Sequence, residues 1–287
     1  MMEKRRKVTI LDLYAMKERG EKISWLTAYD YPTAQFAETA SMDMILVGDS
    51  LGMCVYGYEG TVPVTMDQCI VHSEAVRRAA PIAFVIGDMP FMSYQTSDKD
   101  AVLNAGRFLK EAGVDAIKLE GGVRVISRIR AILDAGIVVC GHIGLTPQSS
   151  GQLGGHKAQG RTVESARLLI EDALAIEEAG AQLLLLEAVP PEVASFITGK
   201  LSIPVLGIGA GPDCDGQLLI VSDMIGQFQA FTPKFVKKYA NVAEVVTNAM
   251  KEYVKDVKAG AFPADEHCYH MLKGEDEKFK DLIKECE

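Results

Sequence analysis

Several short apolar runs in this chain end in side chains that can do chemistry. Met44–Val47 is followed by Gly48, Asp49, Ser50 and, after Leu51, a second glycine at Gly52. The next runs lead to Asp88 (FVIGDMP), to Lys118 and Glu120 (AIKLEGG), to His142 (VVCGHIG) and to Glu187 (LLLLEAV). A buried strand rarely ends in an unpaired charge, because burying one alone is costly. Any single position also reads as a helix cap or a local ion pair, as Asp49 or Ser50 would after a strand. Five neighbouring runs ending this way point instead to one shared site. Asp49, Asp88 and Glu120 offer only oxygen donors, which suits a hard divalent cation, Mg²⁺ before others, with water and substrate completing its shell. No His/Cys set accompanies His142, which argues against zinc. Such an ion can chelate a 2-oxo acid and stabilise an enolate. Glu187 lies between Leu183–Leu186 and Ala188–Val189, an apolar setting expected to raise its pKa and suit it to general-base work. Lys118 then balances the substrate's negative charge. A Schiff base on Lys118 is the competing enzyme chemistry, and the surrounding acids oppose it by keeping the amine protonated.

These side chains need a scaffold that brings strand ends together. Eight apolar runs recur: Ile23–Ala28, Met44–Val47, Ile82–Ile86, Ala116–Leu119, Ile137–Cys140, Gln182–Leu186, Ile203–Ile208 and, least distinct, Leu218–Ser222. Between them lie helical patterns at Tyr31–Ala40, Met66–Ala80, Asp98–Ala112, Val123–Ala135 and Val163–Ala179, and a short amphipathic helix at Thr9–Arg19 precedes the first run. Thr65-x-x-Gln68 and Ser97 supply N-terminal caps, and Gly113, Gly136 and Gly180 each close a helix before the next strand. Strict strand–helix alternation implies parallel strands with right-handed crossovers. Eight units predict an α/β fold of the closed (β/α)₈ TIM-barrel type; the weak eighth run leaves a doubly wound open sheet as the alternative. One domain is expected over 1–287, with the barrel at about 23–240 and a C-terminal helix and acidic tail at 241–287. Lys118 and Glu120, two apart, share a strand face and point either both into the barrel mouth or both at the helix layer.

Two loops are longer than a barrel needs, Ser50–Pro63 and Gly144–Arg161, and both follow carboxyl ends of strands, where barrel enzymes work. They read as lids or binding loops. The glycine run Gly207–Gly211 (GIGAG) is either a backbone nest for an anion or a close bend at the barrel mouth. Tyr29 and Asp30 follow the first strand on the same rim. Trp25 reads as core, and His72 as an ordinary helix residue; His267, Cys268 and His270 lack a second ligand cluster.

Composition excludes several classes. A net charge of −9 offers no basic surplus for phosphates, so nucleic acid is not an expected partner. No stretch of about 20 apolar residues is present to span a membrane. The basic N-terminus (Lys4, Arg5, Arg6, Lys7) lacks a hydrophobic signal segment, and six scattered cysteines show no framework, so a cytoplasmic protein is expected.

The motifs TAYDY (27–31), MILVGDSLGM (44–53), GDMPFMSY (87–94), IKLEGG (117–122), CGHIGLTPQS (140–149), GGHKAQGR (154–161), LLLLEAVP (183–190) and GIGAGPDCDGQ (207–217) occur in order. Together, from about Val8 to His270, the chain resembles the ketopantoate hydroxymethyltransferase family (3-methyl-2-oxobutanoate hydroxymethyltransferases). The resemblance implies a barrel of the phosphoenolpyruvate/pyruvate type. It implies transfer of a hydroxymethyl group from 5,10-methylenetetrahydrofolate to 3-methyl-2-oxobutanoate, giving 2-dehydropantoate for pantothenate synthesis. It further implies that Asp49 and Asp88 bind one Mg²⁺ per subunit with Glu120 completing the site. Asp49, Ser50, Asp88 and Lys118 would hold the oxo acid, Glu187 would take the proton, and Tyr29 and His142 would line the pocket. A homo-oligomer, often a decamer, is implied as well. His156 and Ala158 depart from the commoner aromatic and valine of the flexible loop, and the tail after Leu272 reads as an extension beyond the matched motifs. A Mg²⁺-dependent carbon–carbon lyase or aldolase acting on a 2-oxo acid, and a non-catalytic binding or scaffold protein, are the alternatives in other classes.

Overall fold

A computed structural model describes residues 5–286. The chain forms two compact units, Met1–Tyr239 and Ala240–Glu287. The first is a closed barrel of eight parallel strands in sequence order: β1 (Ile23–Thr27), β2 (Met44–Val47), β3 (Phe84–Asp88), β4 (Ala116–Glu120), β5 (Val139–Gly144), β6 (Leu183–Glu187), β7 (Val205–Ile208) and β8 (Gly216–Leu219). β8 pairs with β1, Trp25 opposite Leu218, so the sheet has no open edge and the doubly wound alternative falls.

Strand alternation sorts the apolar residues into two layers. Trp25, Met44, Leu46, Phe84, Ile86, Ala116, Cys140, Leu183, Leu185 and Leu206 fill the barrel interior. Helix Ile10–Glu18 adds Leu13 and Met16 to that cluster. Ile45, Val47, Val85, Ile117, Leu119, Val139, Leu184 and Leu186 face outward and pack beneath the helices. Because Ala116 points inward, so do Lys118 and Glu120 on the same strand, which decides the face the sequence left open.

Several strands are displaced from their expected bounds, β3 and β5 toward later residues and β8 toward earlier ones. β3 begins at Phe84 and includes Asp88, β5 begins at Val139 and runs through His142 to Gly144, and β8 ends at Leu219 rather than Ser222. Helix Asp98–Arg107 widens into a π-helical turn at Phe108–Ala112. Helix Pro191–Lys200, between β6 and β7, is an element the periodicity did not reveal. The Thr65/Gln68 and Ser97 caps form: the Gln68 N–H donates to Thr65 Oγ1 (3.2 Å), and the Asp100 N–H to Ser97 Oγ (3.1 Å).

The second unit holds helix Val242–Ala259 and helix Glu275–Cys286, with the Phe262 ring against both Tyr253 and His267.

Candidate active site

Register explains why the expected residues meet. Asp88 on β3 lies opposite Lys118 on β4, and Glu120 lies opposite His142 on β5. Inward-facing neighbours on adjacent parallel strands stand about 5 Å apart at the backbone, within reach of each other's side chains. Lys118 Nζ therefore comes 2.8 Å from Asp88 Oδ1, 3.5 Å from Glu120 Oε1 and 3.2 Å from His142 Nδ1. His142 Nε2 in turn lies 3.2 Å from Glu187 Oε2 at the end of β6, although its ring N–H is not aligned on that oxygen. The order across the barrel is acid, ammonium, imidazole, acid.

The tautomer of His142 follows from this order. An ammonium has no lone pair to offer, so Nδ1 must accept from Lys118 and the ring proton sits on Nε2, toward Glu187. Burial, and then the Lys118 charge, push the imidazole pKa down against the opposing pull of Glu187, so the ring is neutral. Burial opposes the ammonium of Lys118, but Asp88, Glu120 and Asp49 outweigh it and hold the amine charged. Burial drives the carboxyls of Asp49, Asp88 and Glu120 upward; Glu120 also raises Asp49, while Lys118 pulls all three back.

Two polar residues that the sequence reading missed organise the acids. Gln148 is buried: its side-chain amide donates to Asp49 Oδ2 (3.0 Å) and to Met89 O (2.9 Å), and its backbone N–H donates to Glu120 Oε2 (3.0 Å). The Tyr94 hydroxyl donates to Gln148 Oε1 (2.8 Å) and accepts from the Glu120 N–H (3.0 Å). Neither residue ends a strand, so nothing periodic marks it; the only signal is a tyrosine and a glutamine in the segments that follow site strands β3 and β5.

The cavity above these groups measures about 500 Å³ and is lined by Asp49, Ser50, Asp88, Lys118, Glu120, His142 and Glu187 together. Both long loops contribute walls, Met53 and Thr61 from the first, His156 and Ala158 from the second, and Phe228, Phe231 and Phe235 close the far side. Tyr29 does not line the cavity. It is buried behind Ser50, its hydroxyl 2.8 Å from Ser50 Oγ, and so reaches the pocket through that serine. The Asp49 N–H is already donated to Asp88 Oδ2 (3.0 Å), so it is not free to hold a ligand. Among the described residues no three His, Cys, Asp or Glu side chains form a ready-made metal cluster, since Lys118 Nζ stands among the acids.

The backbone beside Glu187 is unusual. Ala188 has φ +49°, a left-handed conformation costly for a residue with a Cβ. Three hydrogen bonds hold it there: Leu145 N–H to Glu187 O (2.8 Å), Ala188 N–H to Ile208 O (2.9 Å) and Gln159 N–H to Ala188 O (3.0 Å).

A closed parallel barrel with acids and a lysine at the carboxyl ends of its strands has structural parallels. Phosphonopyruvate hydrolase superposes with a TM-score of 0.60 at 14% identity over 97% of both chains. 2,3-Dimethylmalate lyase, described as a PEP mutase/isocitrate lyase superfamily member, superposes with a TM-score of 0.57 at 19% identity over 96% and 98%. The fold is thus a (β/α)₈ barrel like theirs. At sequence level, a family model described as ketopantoate hydroxymethyltransferase matches residues 7–265. The 3-methyl-2-oxobutanoate hydroxymethyltransferase of Alkaliphilus metalliredigens is 69% identical over 280 residues, 98% of this chain and 99% of that protein. Its counterpart in Moorella thermoacetica is 56% identical over 268 residues, 93% and 100%. The chain belongs to the ketopantoate hydroxymethyltransferase family of enzymes.

Proposed function

We propose that this chain transfers a hydroxymethyl group from 5,10-methylenetetrahydrofolate to 3-methyl-2-oxobutanoate, giving 2-dehydropantoate and tetrahydrofolate, with water supplying the new hydroxyl oxygen. The observation that carries the reading is the side-chain row ending at Glu187. The Glu187 side chain is 16% exposed, against 1–3% for Asp88, Lys118, Glu120 and His142 behind it. It is the site acid placed to meet a C–H bond in the cavity, while the others are set to hold charge.

A divalent ion fits the donor set. Asp88 Oδ1 is buried and lacks an aligned hydrogen bond, its close neighbour being Lys118 Nζ. With Asp49 it offers two hard oxygens from adjacent strand ends, the number Mg²⁺ takes from a protein when water and substrate supply the rest. Asp49 and Asp88 would hold the ion, and Glu120, engaged by Gln148, Lys118 and His142, would complete the acidic set. When bound, Mg²⁺ supplies Lewis-acid stabilisation of the charge that builds on the keto oxygen. Ser50 and Lys118 bind the oxo acid's carboxylate, and Lys118 offsets its charge. The His142 imidazole, its Nε2 3.2 Å from Glu187 Oε2, stands beside that carboxylate. Glu187 removes the proton from the carbon next to the carbonyl. Water opens the donor's methylene bridge, releasing tetrahydrofolate and a formaldehyde-level carbonyl to which the carbanion adds. The alkoxide so formed takes up a proton to become the new hydroxyl.

Incubation with both substrates and Mg²⁺ should give 2-dehydropantoate by mass spectrometry, and EDTA should abolish it. Absence of product under both conditions overturns the reading. Borohydride trapping of the oxo acid on Lys118 would support the Schiff-base route instead; a carbon–carbon lyase has only the shared fold behind it.

The enzyme is proposed to work in the cytoplasm as a homo-oligomer. No helix of the described residues is long and apolar enough to cross a membrane, and the cysteines are free. Leu11, Phe36 and Val71 stand 75%, 70% and 64% exposed on the barrel unit, apolar area that assembly would cover. Light scattering in solution tests the assembly.

A further inference from the structure

Beside the catalytic cavity lies a second basin of about 880 Å³, on the outer side of the β7–β8 connection. Its charged lining consists of Lys22, Arg161, Lys234 and Lys237, with no acid among its lining residues. In a chain with 39 acids and 30 bases, an all-cationic basin runs against the overall balance. Two of the four cations are fixed in place: Lys22 donates to Cys214 O (2.6 Å), and Lys237 lies 4.8 Å from the centre of the Tyr239 ring.

The basin and the catalytic cavity adjoin. Ala158, Ala188, Leu218, Lys234 and Phe235 line both. Ala188 is the residue after Glu187, so a ligand spanning the two spaces has one end at the proposed base and the other among cations. The glycine run contributes by what it lacks. A Cβ at Gly209 would come 2.5 Å from the Phe235 ring, so only a bare backbone lets that aromatic wall close on the passage. By contrast, Arg124 and Arg128 near Glu120 are already engaged by Gln152, Ser149 and Asp98.

We propose that this basin binds the anionic γ-glutamyl tail of the one-carbon donor, leaving its ring end in the catalytic cavity against Phe235. The inference rests on the folate-dependent reaction proposed above. Clustered cations attract a chain of carboxylates in proportion to its charge, and salt weakens that attraction. A carboxylate tail and a free phosphate would share this chemistry, and direct binding separates them.

The experiment is calorimetric titration of the wild type and of R161Q/K237Q with tetrahydrofolate carrying one or three glutamates, and with inorganic phosphate. Neither substituted residue lines the catalytic cavity. The wild type is expected to prefer the triglutamate. The variant should bind it about ten-fold more weakly and lose the preference, as two exposed charge contacts of ordinary strength would dictate. In turnover, KM for the donor should rise while kcat and KM for the oxo acid stay within two-fold. Equal affinity of wild type and variant for the triglutamate overturns the proposal, as does a wild type indifferent to glutamate number whose phosphate binding depends on Arg161 and Lys237. Because binding is read directly, an enzyme that binds the tail through these residues but makes no 2-dehydropantoate would sink the reaction and leave the basin's role standing.

Discussion

At the scale of single residues, the site is a set of charges held in fixed order by partners that carry no charge. Gln148 and Tyr94 fix the acids, the His142 ring stands beside Glu187, and three backbone bonds keep the following residue, Ala188, at φ +49°. Glu187→Gln should therefore cut turnover about 10²–10⁴-fold, and should stop deuterium entering 3-methyl-2-oxobutanoate from heavy water, with little change in melting temperature. Retention of exchange would remove Glu187 as the base. Cys140, inside the barrel, gives a second expectation. Burial pushes its thiol up to about 12 from 9.0, so the folded protein holds that proton more tightly than the unfolded chain. The associated stability is fully present below pH 9 and is lost as pH rises toward 12. Denaturant midpoints measured from pH 8 to 11 should fall, and Cys140→Ala should flatten the trend. The charged members of the site were legible because each breaks an apolar run. Gln148 and Tyr94 were not, since a buried neutral amide or phenol in a loop differs from an exposed one only in its partners.

At the scale of elements, the strands' existence was legible and their ends were not. A pattern reading stops at the first polar residue, whereas ladder hydrogen bonds continue through any side chain whose charge is compensated. Asp88 and His142 are thus members of β3 and β5 rather than residues after them, and their register, not loop geometry, sets the distances to Lys118 and Glu120. Helix packing imposes its own condition on that register. The ring of Phe108, in the π-helical turn, lies 2.4 Å from where a Cβ on Gly87 would stand. Gly87→Ala should cost about 1–3 kcal/mol by urea unfolding, and Phe108→Leu in the same chain should recover part of it. An unchanged midpoint would show that the helix can move away from β3 freely.

At the scale of the whole molecule, closure of eight strands makes the barrel one cooperative object, and its interior carries an unbalanced charge. Asp49, Asp88 and Glu120 set three carboxylates against the single ammonium of Lys118, all of them nearly sealed from water. Burial pushes these three carboxyls toward their neutral forms, and a divalent cation bound among them would favour the ionised set. The barrel should therefore report magnesium through its own melting. At a concentration 100 times its dissociation constant, a ligand that binds only the native state adds about 2.7 kcal/mol, roughly 5–10 °C for a unit of this size. Scanning calorimetry with Mg²⁺ and with EDTA should show that shift. Asp88→Asn should melt higher than the wild type in EDTA and respond little to the ion. Magnesium starvation would then register in the barrel's thermal stability as well as in its turnover.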